Sequence, residues 1–496
     1  MSGCVLNSQI SVCHRRSSLG TPISRLAGFT EPANREIGVP GAEPAPPSTM
    51  TKELFGTDGI RGIPGTYPLD DATLYGVSRA LGKYLLETEA KPRVLIGMDT
   101  RESGPHIAAQ LAAGLADDGV EFLSAGVITT PGVACLVRQN KYSAGMVISA
   151  SHNPFHDNGV KLFAGTGMKF PDDVEEHLET EIHEHKGRET APHGVPVPTD
   201  LSLDEEYLEY LRGRAILGAN LKGLKMVLDC ANGAASLLGP SLFRSLGAEV
   251  IAIHNEPNGR NINDGCGSLH PEKLREKVLE ARAALGVAFD GDADRAMFVS
   301  ASGRHVDGDG VLLAAARYFK STGQLRGGRV IGTTMANLGL EIVLNTEGLS
   351  LARVPVGDRY VLEEMLRCGA NLGGEQSGHI IFLDDATTGD GLLTALKIAC
   401  LVALCGPLDE LVHGLKVFPQ TIVNVKVKSK PPLESLPVVS AAIEKATKAL
   451  GAAGRVVVRY SGTEPKARVM VEAEHAEDVT LWAETLASAI RAAIGA

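Results

Sequence analysis

The stretch Arg93-Val94-Leu95-Ile96-Gly97-Met98-Asp99 decides the fold of this chain. It reads as a buried strand, followed by a polar loop, a helical stretch His106 to Asp118, Gly119, and a second strand Val120 to Leu123. The same order returns at Lys225-Met226-Val227-Leu228-Asp229-Cys230, which leads through a Gly/Ala/Ser loop and a helix to Leu246, then Gly247 and a strand Ala248 to Ile253. A third copy starts at Arg329-Val330-Ile331-Gly332-Thr333, passes through a helix to Thr346, and closes with Gly348 and a strand Ser350 to Val354. Each copy is a βαβ unit, so the repeat predicts three similar α/β domains.

The last part of the chain has a different rhythm. Val423 to Lys428 alternates apolar and polar, Leu436 to Leu450 has helical periodicity, Arg455 to Arg459 and Ala467 to Glu472 read as strands, and Val479 to Ile494 is helical. A smaller α+β domain is predicted there. The organisation expected is an extension over 1–49, α/β domains over 50–205, 206–308 and 309–420, and a C-terminal α+β domain over 421–496.

A chain of 496 residues is too long for one core. Its net charge of -11 argues against nucleic acid as a partner, because a phosphate backbone is held by clustered Lys and Arg. Focused cations can still bind a phosphorylated metabolite. The eight cysteines lack Cys-x-x-Cys spacing and read as reduced, buried thiols. The longest apolar run, Gly391 to Gly406, is interrupted by Lys397 and is shorter than the roughly 20 residues that span a bilayer. It is expected to be a core helix, and the protein to be cytoplasmic with no membrane partner. Residues 1–49 carry no apolar segment of signal-peptide length and pass into a Pro-rich stretch, Gly38 to Ser48. They read as a disordered or spurious extension before Met50, with a transit peptide as the alternative.

Four polar motifs remain. Ile148-Ser149-Ala150-Ser151-His152-Asn153-Pro154 sets a hydroxyl nucleophile on a loop directly after a strand, with small neighbours, nearby donors and a proline that fixes the loop. A plain Ser/Asn/Pro turn would look the same in isolation. Asp290-Gly291-Asp292-Ala293-Asp294-Arg295 alternates carboxylates with small residues, and in an extended segment positions i, i+2 and i+4 share a face and can converge on one hard cation such as magnesium. An EF-hand is excluded, because Arg295 and Ala301 stand where it needs Gly and Glu. In Gly374-Glu375-Gln376-Ser377-Gly378-His379, Glu375 and Ser377 suit vicinal sugar hydroxyls, although a surface turn has the same composition. In Arg459-Tyr460-Ser461-Gly462-Thr463-Glu464-Pro465, hydroxyls and consecutive amides make an anion nest that Arg459 and Arg468 can clamp. Walker A, Gly-x-Ser-x-Gly, His-Glu-x-x-His and Gly-x-Gly-x-x-Gly sequences do not occur.

In this order the four motifs resemble those of the α-D-phosphohexomutase superfamily over Met50 to Ala496. Leu54-Phe55-Gly56-Thr57-Asp58-Gly59-Ile60-Arg61-Gly62, Val356-Gly357-Asp358-Arg359-Tyr360 and the Glu375 motif look like its bacterial phosphoglucosamine mutase family. The resemblance implies three similar α/β domains with mixed sheets and a smaller C-terminal domain around a central cleft. It implies an isomerase that interconverts glucosamine 6-phosphate and glucosamine 1-phosphate for UDP-N-acetylglucosamine synthesis, through a phosphoserine and a sugar 1,6-bisphosphate needed in trace amounts. Ser151 would carry the phosphate, since the family's phosphoserine directly precedes His-Asn-Pro. Asp290, Asp292 and Asp294, with an oxygen of that phosphate on Ser151, would hold Mg2+. Arg61 and Arg295 would contact the transferring phosphate, with His152 beside the nucleophile and Lys161 assisting proton transfer. Glu375 and Ser377 would bind the sugar, and Arg459, Ser461, Gly462, Thr463 and Arg468 the non-reacting phosphate. A mobile C-terminal domain would hinge near Phe418 to Val423. Tyr460 departs from the family pattern, which usually has proline there, and this frees the backbone before Ser461. The partner is a small sugar phosphate and the chain a monomer or homodimer. A phosphomannomutase or phosphoglucomutase of the same fold, a metal-dependent sugar phosphatase and a non-catalytic sensor are the competing readings.

Overall fold

The computed structural model describes residues 53–56, 59–185, 193–461 and 465–496. The extension 1–49 and the nest residues Gly462 and Thr463 lie outside the described residues. The repeat is visible in how three strands end. Strand Arg93–Met98 gives way to Asp99, whose Oδ1 accepts from Arg101 N at 3.0 Å. Strand Lys225–Asp229 ends on Asp229, whose Oδ1 accepts from Ala231 N at 3.0 Å. Strand Arg329–Thr333 ends on Thr333, whose Oγ1 accepts from Met335 N at 3.2 Å. A short polar side chain that bonds the backbone two residues on turns the chain out of the strand without an unsatisfied amide. Each exit leads to a helix (Gly104–Asp117, Ala235–Ser245, Leu338–Thr346) and then to a parallel partner strand (Glu121–Val127, Glu249–Ile253, Ser350–Val354).

Each unit then adds a parallel strand followed by an antiparallel one, so the sheets are mixed. The first sheet runs Ile60–Gly62, Asn158–Ala164, Ala144–Ile148, Arg93–Met98, Glu121–Val127. The second runs His305–Val306, Ala296–Ser300, Leu285–Phe289, Lys225–Asp229, Glu249–Ile253. The third runs Ser350–Val354, Arg329–Thr333, Leu372–Gly374, Ile380–Phe382. Three of the polar motifs therefore occupy one structural position. Each lies on the connection between the antiparallel pair: Ala144–Ile148 with Asn158–Ala164, Leu285–Phe289 with Ala296–Ser300, and Leu372–Gly374 with Ile380–Phe382.

The length argument predicts separate cores, and the structure departs from it. The first unit does have a core of its own around Leu81, Val94, Leu111 and Ile148. The largest apolar cluster, however, runs from Val133 and Phe163 through Phe243 and Phe289 to Leu313 and Leu344, crossing all three units. Helix Gly391–Cys405 lies in this cluster, with Leu396, Ile398 and Leu401 buried. A helix that is apolar on all sides is stable only when covered on all sides. Lys397, which interrupts the run, pairs with Asp385 at 2.9 Å. No described helix is long and apolar enough to cross a membrane.

The C-terminal sheet is antiparallel, in the order Gln420–Lys426, Lys466–Ala473, Gly454–Tyr460. Helices Pro437–Leu450 and Ala476–Ile494 complete a separate core that includes Val425, Val469 and Leu486. Arg455 ties this sheet to the third unit, donating to Thr334 O at 2.8 Å and Ala336 O at 2.6 Å, and Glu472 Oε1 accepts from Leu338 N at 2.9 Å. At the segment expected to hinge, Phe418 exchanges two 3.0 Å hydrogen bonds with the Asn337 side chain. Of the described cysteines, Cys135, Cys230, Cys266 and Cys400 are buried, Cys368 is half-buried and Cys405 is exposed, and all are free thiols.

Candidate active site

Ser151 is presented by the loop that joins Ala144–Ile148 to Asn158–Ala164. Its Oγ donates to Asp290 Oδ2 at 2.5 Å and lies 3.4 Å from His152 Nδ1. Ser149, the other hydroxyl of the motif, is fully buried and accepts from Ser151 N at 2.9 Å. Its oxygen supports the turn, and the carboxylate loop faces Ser151.

Asp290, Asp292 and Asp294 bring carboxylate oxygens within 4.8 Å of one another. The extended geometry expected for this segment does not occur, because a strand would hold the outer two residues roughly 13 Å apart. The chain turns instead. Ala293 N donates to Asp290 O at 3.1 Å, and Ala293 takes φ +54°, which folds the three side chains inward. The loop is also gripped from outside: Thr130 N donates to Asp292 O at 3.0 Å, and Gly391 N to Ala293 O at 2.9 Å. The helices that start at Thr130 and Gly391 thus place their N-terminal turns against the acidic loop, where their dipoles favour negative charge.

Burial, and then the charges of Asp294 and Asp292, push the Asp290 carboxyl well above the usual range. Burial acts the same way on Asp292, but Lys161 Nζ at 2.6 Å and the Thr130 hydroxyl at 2.5 Å outweigh it and hold that carboxyl below its ordinary value. Oδ1 of Asp292 and Oδ1 of Asp294 are buried and accept no hydrogen bond among the described residues. Buried anionic oxygens without donors are costly unless a cation occupies the space between them. Three hard oxygen donors in this arrangement fit a divalent ion such as magnesium.

The expected cations surround this cluster. Lys161 is buried and also lies 3.4 Å from Asp294. Arg295 donates its backbone N–H to Asp290 Oδ1 at 3.2 Å and places Nε 3.7 Å from Asp294. Arg61, on the edge strand Ile60–Gly62, reaches Asn153 Oδ1 at 3.4 Å. That strand is anchored upstream, where the Glu179 carboxylate accepts from Leu54 N at 3.1 Å and Phe55 N at 3.3 Å. Burial, followed by the charges of Arg295 and Arg61, lowers His152 to about 4. The neutral imidazole is therefore favoured, and its contribution to stability is lost as pH falls from about 6.5 towards about 4. An NMR titration of the unphosphorylated protein is expected to find His152 neutral at pH 5.5. A midpoint near the ordinary histidine value would contradict this placement.

A cavity of about 460 Å³ opens beside Arg295 and is lined by Glu375, Gln376, Ser377, His305 and Asp307. The metal-type loop and the sugar-type loop thus face one space. Glu375 Oε1 accepts from Gly357 N at 3.1 Å, and Oε2 is 3.5 Å from Ser377 Oγ. Asp358 and Arg359 serve a different purpose. Asp358 pairs with Lys169 at 2.7 Å, and Arg359 pairs with Asp172 and Glu363, so the motif straps the third unit to the first.

On the C-terminal sheet, Arg459 and Arg468 are direct cross-strand partners. Like charges in that position repel. Burial and then Arg468 lower the pKa of Arg459. Such a pair is relieved by an anion between the two guanidinium groups. Ser461 is buried next to them, its carbonyl accepting from Lys430 Nζ at 2.6 Å. Tyr460, the departure from the family pattern, donates its hydroxyl to Pro431 O at 2.7 Å. An anchored side chain thus restrains the residue that lacks a proline ring.

Sequence reasoning missed Thr130, which donates to Asp292, and also Arg101 and Asn263, which both donate to the Ser151 carbonyl, and Asp99, which pairs with Arg101. The repeat carried a signal for Asp99, since Asp99 and Asp229 close equivalent strands. Nothing in the local sequence marks Thr130 or Asn263.

Four domain families match the chain in order: phosphoglucomutase/phosphomannomutase alpha/beta/alpha domain I over residues 52–189, domain II over 205–303, domain III over 307–418, and the C-terminal domain over 422–489. A phosphoglucosamine mutase of Solibacter usitatus is 52% identical over 447 residues, which cover 90% of this chain and 100% of that protein. One from Koribacter versatilis is 51% identical, covering 90% and 98%. Among solved structures, a phosphoglucomutase/phosphomannomutase family protein from Burkholderia thailandensis superposes with a TM-score of 0.71 at 24% identity, covering 88% of this chain and 96% of that one. An Aspergillus fumigatus N-acetylphosphoglucosamine mutase, in complex with GlcNAc-6P and magnesium, gives 0.58 at 19%, covering 89% and 96%. These structural likenesses carry the fold, and the identity to the bacterial relatives carries the family. The chain belongs to the phosphoglucosamine mutase family.

Proposed function

We propose that the chain is a phosphoglucosamine mutase that interconverts glucosamine 6-phosphate and glucosamine 1-phosphate through phosphoserine at Ser151. The observation that carries this reading is Ser151 Oγ at 2.5 Å from Asp290, within a buried three-aspartate cluster whose next residue, Arg295, lines the cavity of Glu375 and Ser377. Identity above half to bacterial phosphoglucosamine mutases supports the amino sugar as substrate.

The phosphoserine Oγ–P bond breaks as a bond from a sugar hydroxyl to phosphorus forms, which gives a sugar 1,6-bisphosphate. The sugar turns around in the cleft, and its other phosphoryl group returns to Ser151. Transfer of this kind needs in-line placement and neutralised charge. Asp290, Asp292 and Asp294, with a phosphate oxygen on Ser151, would hold Mg2+, which supplies that neutralisation when bound. Arg61 and Arg295 flank the transferring group. His152, whose neutral form is favoured before Ser151 is phosphorylated, can hydrogen-bond to the serine oxygen. Lys161 sits as an ammonium between Asp292 and Asp294, so it acts first as a fixed charge. An ammonium cannot accept a proton, so taking that of the sugar hydroxyl requires the pair with Asp292 to open and Lys161 first to release its own proton, which leaves the amine lone pair as the base.

Glu375 and Ser377 bind the sugar hydroxyls from the far side of the cavity. Arg459, Ser461 and Arg468, with Gly462 and Thr463, hold the non-reacting phosphate, and a hinge at 418–423 brings that domain over the cleft to exclude water. Arg459→Ala is expected to raise KM for the sugar phosphate about 10- to 100-fold, the scale of a charge-assisted hydrogen bond. Thermal stability should not fall, since the substitution removes a like-charge opposition. An unchanged KM would place the second phosphate elsewhere.

The deciding experiment measures turnover of glucosamine 6-phosphate, mannose 6-phosphate and glucose 6-phosphate with Mg2+ and a trace of sugar 1,6-bisphosphate, while free phosphate is monitored. Preference for the amino sugar without phosphate release is expected. Equal or better use of the neutral hexoses would move the chain to the sister mutases, and stoichiometric phosphate release would make it a phosphatase.

A further inference from the structure

The turn at Ser151 is held by groups that lie outside its own motif. Ser151 takes φ +51°, a left-handed conformation that costs a residue with a Cβ about 1–2 kcal/mol. Its carbonyl accepts from Arg101 Nη2 at 3.3 Å and from Asn263 Nδ2 at 2.9 Å. The same two donors close on the carbonyl of Asn153, at 2.6 Å and 3.0 Å. One donor comes from the first unit and the other from the second. Gly291 closes the remaining side, where an added Cβ would lie 2.5 Å from Ser151 O.

The repeat explains how both donors are held. Arg101 is fully buried, and its Nη1 pairs with Asp99, the residue that ends the first strand. Asn263 belongs to a segment braced by Asp229, the equivalent residue of the second unit. Asp229 Oδ1 and Oδ2 accept from Ala231 N and Gly267 N, each at 3.0 Å, and Asn263 N donates to Ala231 O at 2.9 Å. A turn that needed only local stability would be satisfied by donors from its own loop. Here a buried guanidinium and an amide from a separate domain converge on the same two carbonyls. The ψ of Ser151 and the direction of its Cα–Cβ bond follow from where those carbonyls are fixed.

We propose that Arg101 and Asn263 are positioning residues that clasp the Ser151 and Asn153 carbonyls from two domains and so keep Oγ on the line of phosphoryl transfer. The inference rests on Ser151 as the phosphoryl carrier. Oγ must leave and rejoin phosphorus at one place while the sugar turns around, and a displacement near 1 Å costs about 100-fold in rate. Both Nη groups of Arg101 are taken up, Nη1 by Asp99 and Nη2 by the two carbonyls, so the contacts it makes are to the backbone of the turn. The clasp also makes the serine geometry depend on the seating of the second unit against the first.

The test compares Asn263→Ala, Asn263→Leu, Arg101→Lys and the Asn263→Ala/Arg101→Lys double variant with the wild type in the full chain. Asn263 is partly exposed, so its variants should fold once they absorb the cost of its left-handed φ of +59°, which Ala and Leu share, and Leu keeps the shape of Asn without its donor. The readouts are kcat and KM for glucosamine 6-phosphate, free phosphate released per turnover, Ser151 phosphorylation by sugar 1,6-bisphosphate from intact mass, and folded fraction by circular dichroism. Both Asn263 variants are expected to lose about 10- to 100-fold in kcat with KM within about twofold, and to release more phosphate per turnover. The double variant should lose less than the product of the single losses, because both residues hold the same geometry. A kcat within about twofold of wild type for the Asn263 variants, or a loss that matches the unfolded fraction, would overturn the clasp. If the wild type itself is never phosphorylated at Ser151, the proposed function fails and takes the clasp with it. If it is phosphorylated and turns over, and the variants equal it, the clasp alone fails.

Discussion

Ser151→Ala is expected to lower mutase turnover by about 10⁴-fold or more, because it removes the atom that carries the phosphoryl group through both halves of the reaction. The variant should fold normally. Its hydroxyl is bonded to a carboxylate that is itself poorly accommodated and, at 3.4 Å, to His152 Nδ1, so little native stability is lost with it. Incubation with sugar 1,6-bisphosphate should leave its mass unchanged, whereas the wild type gains one phosphoryl group. Ser149→Ala is the control that separates the two hydroxyls of the motif. Ser149 Oγ is the acceptor for Ser151 N, and its loss leaves a buried amide unsatisfied at about 1–3 kcal/mol. Turnover should fall about 10- to 100-fold through misplacement, with phosphorylation of the protein still detectable. If Ser151→Ala retained turnover, or if Ser149→Ala abolished phosphorylation and Ser151→Ala did not, the assignment of the nucleophile would be wrong.

The architecture was legible in the sequence because it repeats. Strand Arg329–Thr333 has the bounds its apolar run predicts, and strand Lys225–Asp229 stops one residue short of Cys230, where the Asp229 carboxylate turns the chain out. The helix at 391–405 was legible for the opposite reason: its lack of periodicity signals burial on every side. The shared core was not legible. Periodicity shows that a face is buried but does not name the surface that covers it, so the convergence of Phe163, Phe289 and Leu344 in one cluster appears only in three dimensions.

The site divides along the same line. Residues whose chemistry lies within a motif, such as Ser151 and the three aspartates, could be read directly. The reason given for the aspartates was incomplete, because pleating alone cannot bring Asp290 and Asp294 together and the left-handed Ala293 can. Asp358 and Arg359 marked the family resemblance and form ion pairs to the first unit that the motif alone did not show, since a motif shared with a family does not reveal which way a side chain points. Thr130, Arg101 and Asn263 act through contacts separated by many residues, and such partners leave no mark on local spacing.

Asp290→Asn is expected to separate function from stability. Without a metal, the buried Asp290 carboxylate has as partners the Ser151 hydroxyl, the Arg295 backbone N–H and two neighbouring acids, and burial followed by those acids raises its pKa. The folded protein therefore holds a proton there more readily than the unfolded chain does. Stability from this group falls as pH rises from the ordinary carboxyl value through the raised one. A neutral amide removes that penalty, so the variant should melt higher than wild type in EDTA at pH 8, by an amount on the order of 1–2 kcal/mol. The advantage should shrink as the pH is lowered and the wild-type carboxyl protonates. Mg2+ should reverse the order, stabilising the wild type by binding its folded state and leaving the variant unchanged. Turnover should fall about 10³-fold or more, since one of three charged donors to the ion is gone. Thermal melts with EDTA or Mg2+ at two pH values test this directly. An Asp290→Asn protein that melts lower than wild type in EDTA would mean that the three carboxylates are stabilised by their protein surroundings alone, and that the cluster is not built around a cation.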